Sequence, residues 1–519
     1  MLEIHSLESN HLKNKRIARN TVFLYLRMLI QLCVGLYASR LVLHALGVSD
    51  YGIYNVVGGV VAIFSFINGS MGTATNRFLA YELGNRIVDK VKMRKVFSTA
   101  LIIHICVALL FGVLCETIGL WYMYNILVVP PERLTAAIWV YQFSIVTSVI
   151  SIINVPYDAT IVAHEKMSAF AYISIIEATL LLLIALFIDN TTLFDRLVLY
   201  GLLLLLSQLF LRFIYIRYCH TNFEEVKGHF YFDKGLFKEM SSFAFWILNG
   251  CIAVVGYTQG INLLLNYFFG PSVNAARGIA VIVQTKVMAF CNNFQRAVNP
   301  QIIKSYADGN LQYMHQLVCN SSVFSFYLIF LLSLPVIIEC DNILKIWLTD
   351  VPHFSSVFVR LTLCVGIIDT LRMPLNTSIH ATGSVKLFQI IEGTTSLLIL
   401  PVAYIFLKVG FSPVSVFVVQ LIFFVLIQIE RIYIVCPAIK MEKMYYIKNV
   451  FIKVMGVVIL SLIIPIIFHN NVIISNVYID ILINIVMTLL STTLVIYFIG
   501  INRNMRNRIN KSIIKIIKL

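Results

Sequence analysis

Residues 169–188 read AFAYISIIEATLLLLIALFI and contain a single charged side chain, Glu177. About 20 predominantly apolar residues are enough for a helix to cross the hydrocarbon core of a membrane. A membrane β-strand would need only about 10 residues and would alternate apolar with polar positions. The unbroken apolar run from Leu180 to Ile188 shows no such alternation. The segment is therefore predicted to be a transmembrane helix.

The same pattern recurs along the whole chain of 519 residues, of which 59% are hydrophobic and 13% are charged. Soluble domains carry about 25% charged residues, so this composition excludes a soluble multidomain protein. The sequence predicts an all-α polytopic membrane protein with 14 transmembrane helices. The predicted spans are residues 20–45, 51–71, 97–121, 134–156, 169–188, 197–218, 242–266, 273–294, 317–338, 355–375, 386–407, 412–436, 448–468 and 478–500.

The chain carries 40 Lys and Arg residues against 25 Asp and Glu residues, a net charge of +15. When the connections are numbered alternately from the inside, 30 of the 40 basic residues fall on the inner side and six on the outer side. An excess of Lys and Arg is typical of the cytoplasmic loops of membrane proteins. The distribution predicts that both termini are cytoplasmic, and it explains the basic charge without a nucleic-acid partner.

Internal similarity predicts that six spans are duplicated. A shift of 223 residues aligns Gly47 with Gly270, and Ile-Ile-Glu at 175–177 matches Ile-Ile-Glu at 390–392. Two pseudo-symmetric six-helix bundles are expected, with a functional site between them near the membrane midplane, as in transporters built from parallel repeats. The predicted parts are an N-terminal bundle over 1–232 (spans 1–6), a C-terminal bundle over 233–440 (spans 7–12), and residues 441–519 with spans 13–14 and a basic cytoplasmic tail.

Polar side chains at membrane depth are candidates for a substrate cavity. Arg27 lies well inside the first span, where a charged side chain costs about 2.5–3.5 kcal/mol and is expected to face protein or water. Snorkelling to the outer interface is the alternative for Arg40, and close helix packing is the alternative for the stripe of small and polar residues that contains Asn55. The candidate cavity residues are Arg27, Gln31, Arg40, Asn55, Gln259, Asn262, Arg277, Gln284 and Lys286.

Four acidic residues in or near the spans have two interpretations. A carboxylate at this depth either carries a coupling ion or pairs with a basic neighbour. The ten cysteines form no Cys-x-x-Cys motif, so no metal site is predicted, and no catalytic residue or cofactor is predicted either. The four acidic candidates are Asp158, Glu177, Asp369 and Glu392.

Four stretches carry a resemblance to a known family: ASRLVLHALGVSDYGIYNVVGG (38–59), GTATNRFLAYELG (72–84), NVPYDATIVAHEKMSAFAYISIIEAT (154–179) and ATGSVKLFQIIEG (381–393). Over residues 17 to about 500 the chain resembles the polysaccharide-transport branch of the multidrug/oligosaccharidyl-lipid/polysaccharide exporter superfamily. The resemblance implies a flippase of the bacterial inner membrane. By alternating access it would move undecaprenyl-pyrophosphate-linked oligosaccharide to the outer leaflet, for O-antigen, capsule or exopolysaccharide assembly. Implied partners are that lipid-linked glycan, membrane lipids, and the polysaccharide polymerase and chain-length machinery.

Two other functions remain open at this stage. An ion-coupled multidrug or toxin antiporter of the same superfamily would be expected to have 12 spans and intramembrane carboxylates, whereas the buried charge here is mainly basic. A polytopic glycosyltransferase or polymerase would need a large outer loop for its chemistry. The longest predicted outer connection, about 339–354, has some 16 residues. The sequence therefore favours a transporter over an enzyme.

Overall fold

The structure is a computed structural model that describes residues 2–62, 65–85, 87, 89–125, 130–191, 195–227, 231–348, 350–471, 477–501 and 506. Within these ranges the chain forms helices and no strand. The α-helices are α1 (Leu2–Ala62), α2 (Ser65–Gly84), α3 (Lys90–Leu114), α4 (Leu120–Asn125), α5 (Leu134–Ala163), α6 (Met167–Asn190), α7 (Arg196–Asn222), α8 (Lys234–Phe269), α9 (Pro271–Ala307), α10 (Leu311–Ile338), α11 (Cys340–Trp347), α12 (Ser355–Asp369), α13 (Arg372–Thr382), α14 (Lys386–Lys408), α15 (Val414–Ala438), α16 (Lys443–Tyr446), α17 (Ile452–Asn471) and α18 (Val477–Val495).

Among the described residues, eleven helical segments are long and apolar enough to cross a membrane. They coincide with eleven of the predicted spans, and the prediction of an all-α polytopic membrane protein is confirmed. Two other predicted spans, 273–294 and 355–375, do not meet that criterion of length and hydropathy, and the remaining predicted span, 51–71, includes residues 63 and 64, which lie outside the described part of the chain. The polar content of α9 and the 15-residue length of α12 are physical reasons for the two exceptions.

Two glycines mark the helix breaks that the repeat predicts. Gly47 interrupts α1 with φ 73° and ψ 169°, and Gly270 separates α8 from α9 with φ 79°. The conformation at Gly47 belongs to a region that is essentially restricted to glycine. The two residues aligned by the 223-residue shift therefore both adopt positive φ at the turn between two helices.

The chain divides into two compact units. Unit 1 comprises Met1–Cys251 and Arg296–Asn310, and unit 2 comprises Ile252–Gln295 and Leu311–Leu519. Helices α8 and α9 each contribute residues to both units, since one unit boundary falls inside each of these two helices. The predicted division at residues 232 and 440 stays a prediction.

Each unit has its own apolar core. In unit 1, the fully buried Tyr141 of α5 packs among residues of α1, α3 and α7, and its hydroxyl donates to the carbonyl of Cys115, 2.8 Å away. That carbonyl begins a π-helical turn, Cys115–Gly119, between α3 and α4. In unit 2, the rings of Phe358 and Phe417 stack with centroids 4.2 Å apart. These cores hold the helices that carry the polar residues described next.

Candidate functional site

A cavity of about 220 Å³ lies within unit 1, among α1, α5, α6, α7 and the unit 1 part of α9. Its wall combines several charged groups with few apolar ones. The charged and polar lining side chains are Arg27, Ser151, Asn154, Asp158, Ser174, Glu177, Gln208, Arg212, Tyr215 and Arg296. Arg27, Asp158 and Glu177 are three of the residues singled out from the sequence.

Arg27 reaches this cavity from α1. Its guanidinium carbon lies 4.3 Å from the centroid of the Phe170 ring, a cation–π contact. Its Nε is buried and has no hydrogen-bond partner in the described part of the chain. Buried guanidinium groups are normally hydrogen-bonded, so an unpartnered N–H at a cavity wall is a vacant donor.

Arg296 reaches the same cavity from α9. Its Nη2 donates to both oxygens of Asp158 on α5, at 2.8 and 3.1 Å. Its guanidinium carbon lies 3.8 Å from the centroid of Phe170, the ring that Arg27 also contacts. The two guanidinium groups therefore contact the same ring and lie close to each other. Side chains of Arg296 and Asp158 are 33% and 31% exposed, so both remain accessible from the cavity.

The third arginine of the cavity, Arg212, is already hydrogen-bonded to neighbouring groups of the protein. Its Nη1 donates to the carbonyl of Ile153 at 2.8 Å and to Oδ1 of Asn154 at 3.1 Å, and its guanidinium stacks on Tyr157. Glu177 is exposed and accepts only a long hydrogen bond, 3.4 Å, from Gln208. With three arginines and two carboxylates, the lining carries an excess of one positive charge.

The position of Arg296 is set by a second ion pair further along α9. Lys304 Nζ lies 2.5 Å from Oε1 of Glu165, and Gln301 Nε2 lies 2.6 Å from Oε2 of the same carboxylate. Glu165 occupies the turn between α5 and α6 with positive φ, and Asn20 of α1 donates to its carbonyl. These bonds fix the unit 1 part of α9 against α1 and the end of α5, and so aim Arg296 at Asp158.

Unit 2 contains a separate cavity of about 320 Å³. Arg277 lines it and is already occupied, since it donates to Oδ1 of Asn262 and to the carbonyl of Thr258. Gln284 also lines it and donates to the carbonyl of Thr362 at 3.2 Å. The other charged lining groups are Asp369 and Arg372, which form an ion pair at 2.8 Å.

Beside this cavity, α14 and α15 hold a further charged network. Arg431 Nη2 lies 2.5 Å from Oε1 of Glu392, and the Arg431 side chain is only 3% exposed. Glu430 accepts a hydrogen bond from the Thr395 hydroxyl at 3.0 Å, while its Oε2 is buried without a hydrogen-bond partner in the described residues. Three of the four acidic candidates, Asp158, Asp369 and Glu392, are therefore in ion pairs with arginines.

The remaining candidates from the sequence either line neither cavity or lie outside the described part of the structure. Gln31, Arg40 and Gln259 line neither of these cavities, and Lys286 is exposed and lines neither. Gln259 Oε1 accepts from Asn262 at 3.0 Å, which makes it a support for the Arg277 contact. The side chain of Asn55 lies outside the described part of the structure.

The sequence analysis missed five charged residues that the structure brings to these sites: Arg212, Arg296, Arg372, Glu430 and Arg431. Arg212 and Arg296 were counted as basic residues of cytoplasmic connections, because each stands close to a predicted span end. For Arg296, the signal that could have revealed it is a matched spacing of charged residues in two segments. Asp158 precedes Glu165 by seven residues and Arg296 precedes Lys304 by eight, which brings opposite charges together when the two segments pack side by side.

Comparison with known proteins identifies the fold. No protein-family model and no curated protein sequence matches the chain. A solved multidrug resistance MATE family transporter of the MOP superfamily, in its outward-facing conformation, is similar with a TM-score of 0.70 and 13% identity over 82% of this chain and 96% of that one. A MOP superfamily transporter from Pyrococcus furiosus gives a TM-score of 0.68 and 13% identity over 83% and 97% of the two chains. A MATE structure in the bent conformation gives a TM-score of 0.69 and 12% identity over 82% and 96%.

These likenesses, at such low identity, concern the fold. The chain shares the fold of these solved MATE transporters, and the fold expected from the sequence is confirmed. The polysaccharide-transport branch stays a prediction.

Proposed function

We propose that this chain is a flippase of the bacterial inner membrane that moves undecaprenyl-pyrophosphate-linked oligosaccharide to the outer leaflet by alternating access, with both termini in the cytoplasm. The observation that carries the proposal is Arg27, a guanidinium inside a membrane-spanning helix whose buried Nε is unpartnered at a cavity wall. Nothing covalent is required of the protein, because translocation moves the substrate without changing it.

The charge of the unit 1 cavity favours an anionic ligand. Arg27 and Arg296 contact one ring, Phe170, and the lining as a whole has one positive charge in excess. A diphosphate presents several acceptor oxygens, which suits planar guanidinium donors that form charge-assisted hydrogen bonds.

The size of the same cavity favours the diphosphate group over a whole substrate or a drug. Sites for drug-sized ligands commonly have volumes of about 300–1,000 Å³, whereas this cavity has about 220 Å³. It suits a small anionic group, with glycan and lipid tail outside it. The amide, hydroxyl and aromatic side chains of the unit 2 cavity are suited to neutral polar groups such as sugars.

A multidrug antiporter is the second candidate, and the likeness to MATE transporters favours it. The Pyrococcus furiosus relative is described as a transporter whose binding pocket has reversed polarity, which suggests a different function for that protein. In the present chain a cationic drug would meet the positive excess at Arg27 and Arg296. The polarity of the unit 1 cavity therefore favours the flippase.

The test is complementation of a strain in which the gene is deleted. Arg27→Gln should abolish long surface polysaccharide and leave lipid-linked units facing the cytoplasm, while Arg27→Lys should retain part of the activity because a positive charge remains. Arg19→Gln, which changes an exposed arginine of the same helix, serves as the matched control and should restore export. Full export by Arg27→Gln, or unchanged polysaccharide with raised drug sensitivity in the deletion strain, would contradict the flippase.

A further inference from the structure

We propose that Asp158 is an internal counter-anion of the unit 1 cavity, which holds Arg296 in the empty transporter and is displaced when the anionic group of the substrate binds. The inference rests on the proposed function and deepens it. It assigns a role to an acidic residue in a cavity that otherwise favours anions, where a carboxylate would be expected to oppose binding.

The first step of the argument is the asymmetry between the two guanidinium groups on Phe170. Arg27 has an unpartnered Nε, whereas Arg296 is occupied by both oxygens of Asp158, at 2.8 and 3.1 Å. A carboxylate that accepts from Nη2 of a guanidinium in this way occupies a donor that a phosphate would use. The cavity therefore offers Nε of Arg27 without an exchange of partner, and Nη2 of Arg296 only in exchange for Asp158.

The second step is the exposure of the pair. Arg296 and Asp158 are each about one-third exposed, and an ion pair of this kind holds its partners together only weakly. The neighbouring pair on α9 is different, because the Glu165 side chain is 1% exposed and is also bonded to Gln301. One helix thus carries a permanent anchor at Lys304 and an exchangeable contact at Arg296.

The third step is the cycle that this arrangement permits. Phosphate oxygens accept from Arg27 and Arg296 on binding, and the displaced Asp158 carboxylate stays in the polar cavity near Asn154 and Tyr215. On release, Asp158 returns to Arg296 and competes with the departing anion. The Asp158 carboxylate lowers the affinity of the cavity for the substrate. The lower affinity allows the substrate to leave, so that the transport cycle can be completed.

Two measurements on the full-length protein in lipid nanodiscs and proteoliposomes test this role: the affinity for undecaprenyl pyrophosphate, with inorganic pyrophosphate as a second probe, and the rate of lipid translocation. Asp158→Asn should bind either probe about three- to tenfold more tightly, because Arg296 is released and one negative charge is removed. It should also translocate more slowly than the wild type, since release is no longer assisted. Asp158→Glu should restore a carboxylate and bring both values back towards the wild type.

Glu177→Gln is the matched control, because it removes a negative charge from the same lining without releasing an arginine. A smaller gain in affinity is expected for it than for Asp158→Asn. Arg296→Gln should weaken binding, and adding Asp158→Asn to it should raise the affinity by no more than Glu177→Gln does in the wild type, because only the removal of a charge remains. Arg296→Gln keeps the test decisive if Asp158→Asn is poorly folded.

Equal or weaker binding by Asp158→Asn, an equal gain in Glu177→Gln, or unchanged binding by Arg296→Gln would each overturn the counter-anion. If the wild-type protein binds neither probe, the failure is that of the proposed function and not of the role of Asp158.

Discussion

Lys304 and Glu165 form a buried ion pair that joins the last turn of α9 to the turn between α5 and α6, with Nζ and Oε1 2.5 Å apart. Burial lowers the pKa of the Lys304 ammonium below its ordinary value, and the Glu165 carboxylate opposes this by favouring the charged form. The pair matters to function because it sets the position of Arg296, which lies eight residues earlier on the same helix.

Lys304→Met is expected to destabilise the protein strongly. It removes the nearer cationic partner of the Glu165 carboxylate, which is 1% exposed, and leaves Arg16 at 3.7 Å. Breaking a buried ion pair by removing one member costs about 3–5 kcal/mol, because the remaining charge is desolvated and uncompensated. The free energy of unfolding, measured by titration with sodium dodecyl sulfate in mixed micelles at neutral pH, should fall by that amount.

Arg16→Gln provides the control, since Arg16 approaches the same carboxylate from 3.7 Å with a side chain that is 53% exposed. An exposed pair of this kind contributes about 0–1 kcal/mol. If both substitutions lower the stability equally, burial is not what makes the Lys304 contact important.

Gly47→Ala should destabilise the protein for a conformational reason and not a steric one. A Cβ at this position would meet no atom within 4 Å, but φ is 73° and ψ is 169°. Holding a non-glycine residue in this region costs about 1–3 kcal/mol. Gly52→Ala is the matched control, because Gly52 is helical and equally uncrowded, and alanine there should stabilise α1 by about 0.5–1 kcal/mol. The same titration with sodium dodecyl sulfate distinguishes them, and equal effects would contradict the backbone argument.

The sequence was sufficient for the fold class because a membrane imposes a simple constraint on each helix separately. A span such as 169–188 is recognisable from its own composition, and α6 occupies it. The predicted turns at Gly47 and Gly270 follow from local chemistry in the same way, because positive φ favours glycine.

The site was only partly predictable, because pairing between helices depends on contacts that are distant in sequence. Arg27 was found because a lone arginine within a span is costly. Arg296 was missed because it stands close to a predicted span end, where the positive-inside rule already accounts for a basic residue. Its partner Asp158 lies 138 residues earlier. Similarly, Lys286 was selected for its predicted depth, and the structure shows it exposed outside both cavities.

Tyr141→Phe should test the π-helical turn after α3. The Tyr141 hydroxyl donates to the Cys115 carbonyl at 2.8 Å in a buried environment, so its loss should cost about 0.5–1.5 kcal/mol. Ser144→Ala, one turn later in α5, removes a hydroxyl that bonds only the Val140 carbonyl of its own helix and should change the stability by less than about 0.5 kcal/mol. Thermal unfolding of the purified protein compares the two, and an equal shift would show that the Cys115 contact has no special importance.

In the charged network of α14 and α15, substitutions at the adjacent residues Glu430 and Arg431 are expected to change the stability in opposite directions. Arg431 is 3% exposed and binds Glu392, so Arg431→Met should lower the stability by about 3–5 kcal/mol. Glu430 has one oxygen bonded to Thr395 and one buried oxygen without a hydrogen-bond partner among the described residues.

Glu430→Gln should therefore raise the stability, because an amide carbonyl still accepts from Thr395 while the burial of a second carboxylate charge close to Glu392 is avoided. Thr395→Val in the Glu430→Gln background should remove most of this gain, because the amide then loses its donor. Both effects are measured as changes in the free energy of unfolding at neutral pH. A loss of stability in Glu430→Gln would contradict this prediction. It would show that a contact other than these hydrogen bonds stabilises the ionised carboxylate.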